Sequence, residues 1–169
     1  MPERYIVTSA LPYINGVKHL GNLIGSLLPA DIYARFRRQQ GDDVLAVCGT
    51  DEHGTPAEIA AIEEGISIKD YAKKYHDIQK RIYEHFRLSF DYFGRTSSPQ
   101  NHRMTQHLFL RLWENSLISE RTIKQLYCED EGRFLPDRFI VGTCPKCGYE
   151  NARGDQCEEC TSLLDPTDL

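Results

Sequence analysis

Residues 4–22 read RYIVTSALPYINGVKHLGN, and the fold turns on this stretch. RYIVTSA is β-branched and aromatic, the make-up of a first strand. Leu11–Lys18 carries Pro12 and Gly16 and reads as a loop. From about His19, the residues Leu20, Leu23, Ile24, Leu27, Leu28, Ile32 and Phe36 recur at roughly helical spacing. Pro29 predicts a kink in that helix and Gly41 its end. DVLAVCG, residues 43–49, is a nearly all-apolar second strand, the kind found in parallel sheets covered on both faces. Strand, helix and strand make a βαβ unit with a right-handed crossover. The class is α/β.

Downstream, Thr55, Pro56 and Glu58 predict a capped helix start, and Gly65 its end. Ser67 and Asp70 stand at capping-box spacing before a second helix. Its stripe Ile68, Tyr71, Tyr75, Ile78, Ile82 and Phe86 reads as core. SFDYFGRTS, residues 89–97, predicts a third strand, and a helix beginning near Asn101 follows. Trp113 and the tyrosines here read as core. Beyond a boundary near 117–122 the texture changes. TIKQLYC and RFIVG predict short strands, and a loop rich in Cys and Gly follows.

The 169 residues carry 40% hydrophobic and 27% charged residues and a net charge of -5, so the chain folds and lacks a broadly basic face for nucleic acid. The run RFRRQQ, residues 35–40, reads as a solvated helix face. No apolar run is long enough to span a bilayer, and the N-terminus has no secretory pattern. The expected compartment is the cytoplasm, with no membrane contact.

CPKCGYENARGDQCEEC holds Cys144, Cys147, Cys157 and Cys160 as two C-x-x-C pairs separated by nine residues. Four thiolates at this spacing can close a tetrahedron around zinc, with no open position left for catalysis. A redox pair and disulfides are the competing readings; the spacing favours one structural zinc per chain. Cys48 reads as a small buried hydrophobe, and Cys128 receives no role.

His19, Leu20, Gly21 and Asn22 open the first helix of the βαβ unit, whose free N–H groups suit a phosphate. A histidine there can donate to a phosphate oxygen and stabilise charge developing on it. Gly21 leaves room for a base or ribose against the backbone. Asn22 offers a donor and an acceptor. CGTDEHGTP places Asp51, Glu52 and His53 at the carboxyl end of the second strand, where open α/β sheets bind ligands. A carboxylate there can hold an ammonium group.

ALPYINGVKHLGN, GTDEHGTP, FLPDRF, GTCPKCG and RGDQCEEC together resemble methionyl-tRNA synthetases, which are class I aminoacyl-tRNA synthetases. The resemblance runs from Arg4 to the C-terminus. It implies the first half of a Rossmann-type catalytic domain over 1–117 and an appended zinc-knuckle connective region over 118–169. It implies activation of methionine by ATP with Mg2+ to methionyl-adenylate, then transfer to tRNA. His19 and Asn22 take catalytic positions, Asn22 standing where the family's motif ends in His. Tyr13, His19, Gly21 and Asn22 match ATP-binding positions. Ala10, Leu11, Tyr13 and Asp51 match methionine-binding ones, Asp51 receiving the ammonium. Thr161 stands where a glycine is common. The family's K-M-S-K-S loop and anticodon-binding domain have no counterpart here. The resemblance therefore implies an N-terminal fragment, inactive or weakly active alone, with the C-terminal half as a partner. Two other classes stay open at this point: another nucleotidyltransferase of the H-x-G-H type, and a zinc-knuckle binding module.

Overall fold

The computed structural model describes residues 2–169 and divides into two compact units, Met1–Asn115 and Ser116–Leu169. The first is built on a parallel sheet of β1 (Arg4–Thr8), β2 (Asp43–Thr50) and β3 (Tyr92–Arg95), in the order β1-β2-β3. The register sets Ile6 beside Leu45, Val7 beside Ala46 and Cys48 beside Phe93.

One face of this sheet is covered. Val7, Val44 and Ala46 pack on Ala34, and Cys48 packs on Leu23, Leu27 and Tyr83. The opposite face carries exposed Ile6, Leu45 and Tyr92, so the expectation of a sheet covered on both faces is corrected. The cause is topological. Right-handed crossovers that advance in one direction put every crossover helix on the same side.

The first crossover begins with α1 (Leu20–Asn22), passes through a π-helical turn (Leu23–Leu27) and ends in α2 (Leu28–Gln39). Pro29 sits in the first turn of α2, just past the π turn. A widened turn stands where the kink was expected, closing Leu28 N–H onto the Leu23 carbonyl just before the residue that lacks an N–H.

The arginines of residues 35–40 are not a solvated face. Arg37 pairs with Glu3 at 3.1 Å and Asp42 at 2.8 Å, and Arg38 with Asp91 at 2.7 Å. Arg35 donates to Asp31 at 2.7 Å, and Asp31 also accepts from the Ser89 amide and hydroxyl. These arginines fasten α2 to chain preceding β1, β2 and β3, which charge patterning along one helix could not reveal.

The second crossover holds α3 (Thr55–Glu64) and α4 (Ile68–His85). The cap of α3 is Gly54, not Thr55: its φ of 109° is open to glycine, and Thr55 is already helical. Ser67 caps α4 as its spacing predicts, its Oγ accepting from the Asp70 amide at 3.1 Å. The buried side of α4 is Tyr71, Ala72, His76, Gln79 and Tyr83. Ile68 and Phe86 are exposed, so the predicted stripe is rotated toward its polar neighbours. Polar residues occupy the buried line because the loop after β1 and the ends of β2 and β3 offer them hydrogen-bond partners, described below.

Helix α5 (Pro99–Glu114) starts two residues before the expected Asn101, capped by Ser98. None of its residues is buried, and Trp113, Phe109 and Met104 are about half exposed. Trp113 is therefore not core. It follows the last strand of the three-stranded sheet.

The second unit has strands of two residues only. Strand β4 (Tyr127–Cys128) pairs with β5 (Arg133–Phe134), and β6 (Val141–Gly142) with β7 (Ala152–Arg153), all antiparallel. TIKQLYC and RFIVG thus yield far less strand than predicted. Asp137–Phe139 is a 3-10 turn, and Ile123 and Leu126 lie exposed. The core here is Cys144, Ala152 and Cys157, with Tyr149, Cys160, Leu164 and Leu169 against it.

Candidate functional site

The loop after β1 is held in three ways. Ile14 is fully buried against Ala57, Ala61, Tyr71 and Ala72 of α3 and α4. The Gln79 amide donates to the Tyr13 carbonyl at 2.8 Å. Tyr13 and Asp51 form a parallel bridge: the Asp51 amide donates to Pro12 O at 2.9 Å, and Ile14 N–H to Asp51 O at 3.2 Å. The loop therefore runs as a short extension of the sheet, alongside the chain that leaves β2.

Ala10, Leu11, Tyr13, Gly21 and Asn22 line one cavity of about 350 Å³, together with Lys18. Five of the residues singled out in the sequence thus share a wall. His19 is not part of that lining. It is exposed, takes an extended backbone conformation at the N-cap of α1 and makes no side-chain cap hydrogen bond. Its ring lies against Gly21, where an added Cβ would come within 2.9 Å of Nδ1. Asp51 also lies outside the lining and joins the loop through its backbone. Asp51 is half-buried, and its carboxylate has no ion-pair partner among the described residues. An imidazole, helix-start N–H groups and an open carboxylate are the parts needed to receive a phosphate and an ammonium group.

Of the polar residues beneath this loop the sequence marks Glu52, as part of the Asp-Glu-His cluster, but not Thr50, His76 or Gln79. Glu52, Thr50, His76 and Gln79 are all buried. Burial pushes the Glu52 carboxyl up, but hydrogen bonds from Arg95, Ser97 and Thr50 outweigh it and hold the group below its usual range. His76 is pushed down by burial and by the Arg95 charge. Only the polar residues within the α4 stripe hinted at it. Burial of the Lys18 side chain likewise lowers its ammonium, which donates to Asn15 Oδ1 at 2.7 Å.

In the second unit the four sulfur atoms of Cys144, Cys147, Cys157 and Cys160 lie within 4.8 Å of one another. Cys144 and Cys160 Sγ are 3.8 Å apart, and Cys147 and Cys157 Sγ 3.6 Å. A zinc–sulfur bond of about 2.3 Å makes a tetrahedral edge of about 3.8 Å, so the sulfur spacing fits a zinc ion. All six cysteines are free, and this spacing is far too long for a disulfide. Hydrogen bonds from the Ser162 hydroxyl and amide bring the Cys160 thiol down to about 6, which favours the thiolate a metal binds. Each pair ends in a matching turn: Gly148 N–H bonds Cys144 O at 2.9 Å, and Thr161 N–H bonds Cys157 O at 2.9 Å. Cys128 lies in β4 and belongs to no such cluster among the described residues.

No described helix is long and apolar enough to cross a membrane. A family model described as tRNA synthetases class I (M) matches residues 5–169. The chain is 63% identical to methionine–tRNA ligase 1 of Acaryochloris marina, over 98% of this chain and 30% of that protein. It is 61% identical to methionine–tRNA ligase of Streptomyces avermitilis, over 98% of this chain and 29% of that protein. A solved structure of Mycobacterium tuberculosis methionyl-tRNA synthetase in complex with methionyl-adenylate superposes with a TM-score of 0.74 and 27% identity, covering 95% of this chain and 30% of that one. The chain thus spans about 30% of the length of the relatives it matches.

Proposed function

Because the chain belongs to the methionine branch of the class I tRNA synthetases, we propose that it carries the nucleotide-facing part of a methionine-activating site. The reaction joins methionine and ATP, with Mg2+, and then passes the methionyl group to a methionine tRNA. One methionine carboxylate oxygen attacks the α-phosphorus. A new O–P bond forms, the bond to the bridging oxygen breaks, and pyrophosphate leaves.

His19 donates to the α-phosphate oxygens as charge builds on them, and Asn22 adds a second polar contact. Gly21 and Tyr13 border the nucleotide. Ala10, Leu11 and Tyr13 face the methionine, and Asp51 receives its ammonium. No side chain acts as a covalent nucleophile, because the substrate carboxylate fills that role. Cys144, Cys147, Cys157 and Cys160 would hold a zinc ion, which supplies structure to residues 118–169, the connective region of this reading. Residues 1–117 supply the first half of the catalytic domain.

The observation that carries this reading is the bridge between Tyr13 and Asp51. It ties the proposed ammonium-binding carboxylate to the loop that precedes His19. The test is methionine-dependent exchange of pyrophosphate into ATP, with leucine and isoleucine as controls. Exchange with methionine and not with leucine or isoleucine is the expected result, weak in this chain by itself and full once the C-terminal half is supplied. Exchange driven equally by all three amino acids would overturn the substrate.

A further inference from the structure

The buried Glu52 has no part in the reaction just described. We propose that Glu52 and Arg95 form a clamp that positions Asp51 for the substrate ammonium, which makes both of them positioning residues. The proposal rests on the reading of Asp51 given above.

Glu52 is 4% exposed, and its carboxylate is surrounded by donors. Arg95 Nε reaches Oε1 at 2.8 Å and Oε2 at 3.0 Å. The Ser97 hydroxyl donates to Oε2, and the Thr50 hydroxyl donates to Oε1 at 2.8 Å. The Glu52 amide donates to Thr96 Oγ1 at 2.8 Å. Apart from Thr50, every partner comes from the end of β3 or the residues just after it. A hydroxyl has one proton, so with Thr50 donating to Glu52 its oxygen accepts from Nδ1–H of His76, 2.8 Å away. The chain of bonds thus extends back to α4.

Asp51 precedes Glu52 directly. Its backbone is held from the other side by Pro12 and Ile14. Residues 50–52 are therefore pinned between β3 and the loop, and the Asp51 carboxylate is the group left open. Fold stability alone gives little reason for a charged pair here, since well-packed apolar residues serve a core at least as well. What the pair adds is a fixed geometry at the carboxyl end of β2, the edge where ligands bind.

The test uses Glu52→Gln and Arg95→Lys, and the double variant Glu52→Gln/Arg95→Met, which leaves no charge without its partner. Two readouts are taken. Amide exchange at Asp51 and Ile14 is expected to speed up about tenfold, while Val7 and Ala46 in the sheet stay protected. Affinity for L-methionine is expected to fall about tenfold, and that for its desamino analogue 4-(methylthio)butanoate to hold. In an Asp51→Asn background, Glu52→Gln should cost no further affinity, because both act through one group. Unchanged exchange at Asp51 overturns the clamp. So does a loss of methionine affinity that persists in the Asp51→Asn background. A wild-type protein that binds no methionine overturns the proposed function instead, and the exchange readout then decides the clamp.

Discussion

A Cβ placed on Gly21 would sit 2.9 Å from Nδ1 of His19. The glycine is what lets the imidazole rest over the first helical turn. On the proposed reading both residues serve the nucleotide, which accounts for a histidine and a glycine at a helix start better served by Ser or Asp for capping alone.

Gly21→Ala should therefore separate stability from activity. Alanine favours a helix by about 0.5–1 kcal/mol over glycine, so thermal stability should hold or rise. The displaced imidazole should lower methionine-dependent ATP–pyrophosphate exchange. Unchanged exchange would show that the ring position is immaterial.

His19→Ala should leave the fold intact, because the ring is exposed and caps nothing. Loss of one donor to developing charge lowers a rate about 10²–10³-fold. Circular dichroism and exchange kinetics on the same preparation check both halves; near wild-type turnover would remove His19 from the mechanism.

Atomic absorption should find one zinc per chain in protein purified without chelator. Cys157→Ser should abolish it, since Cys157 is both a proposed ligand and fully buried core. Amide exchange should then show loss of protection in Ser116–Leu169, while the sheet of the first unit keeps its own. Retained order in the second unit without metal would contradict a structural zinc.

Thr161 occupies the left-handed region with φ 58°, as Gly148 does in the matching turn with φ 78°. A β-branched residue there is strained, at about 1–2 kcal/mol, and the extra unfolded-state freedom of glycine offsets part of the relief. Thr161→Gly should raise the stability of the second unit by up to about 1 kcal/mol, read from denaturant unfolding. Destabilisation would mean that the threonine side chain contributes more than its backbone costs.

Acid should weaken the first unit in two stages. His76 is held below its ordinary value of 6.5, so the unfolded chain binds its proton first. Its contribution is complete above pH 6.5 and is lost as pH falls through the lower folded value. Glu52 is held below its ordinary 4.5 and contributes above that value, failing further down. Thermal melts from pH 7.5 to pH 3.5 should show both, and His76→Gln should remove the upper one. A melt curve flat between pH 7 and pH 5 would contradict the buried neutral histidine.

Local signals were enough for the main elements of the first unit and for the four-cysteine cluster. A β-branched run, a helical apolar period and a second β-branched run define β1, the first crossover and β2, because periodicity reports which residues share a face. Two C-x-x-C pairs name the members of the sulfur cluster, because four sulfurs need only short turns to meet. The rotated face of α4, the single covered side of the sheet and the arginines of residues 35–40 were not legible. Each depends on what another segment presents. Gln79 is buried because the Tyr13 carbonyl needs a donor, and His76 because Thr50 needs one. Asp51 could be named from the chain, but the bridge that ties it to the loop at Tyr13 is a tertiary fact. Side-chain chemistry is written residue by residue, whereas the partner that satisfies a buried polar group is chosen only when distant segments meet.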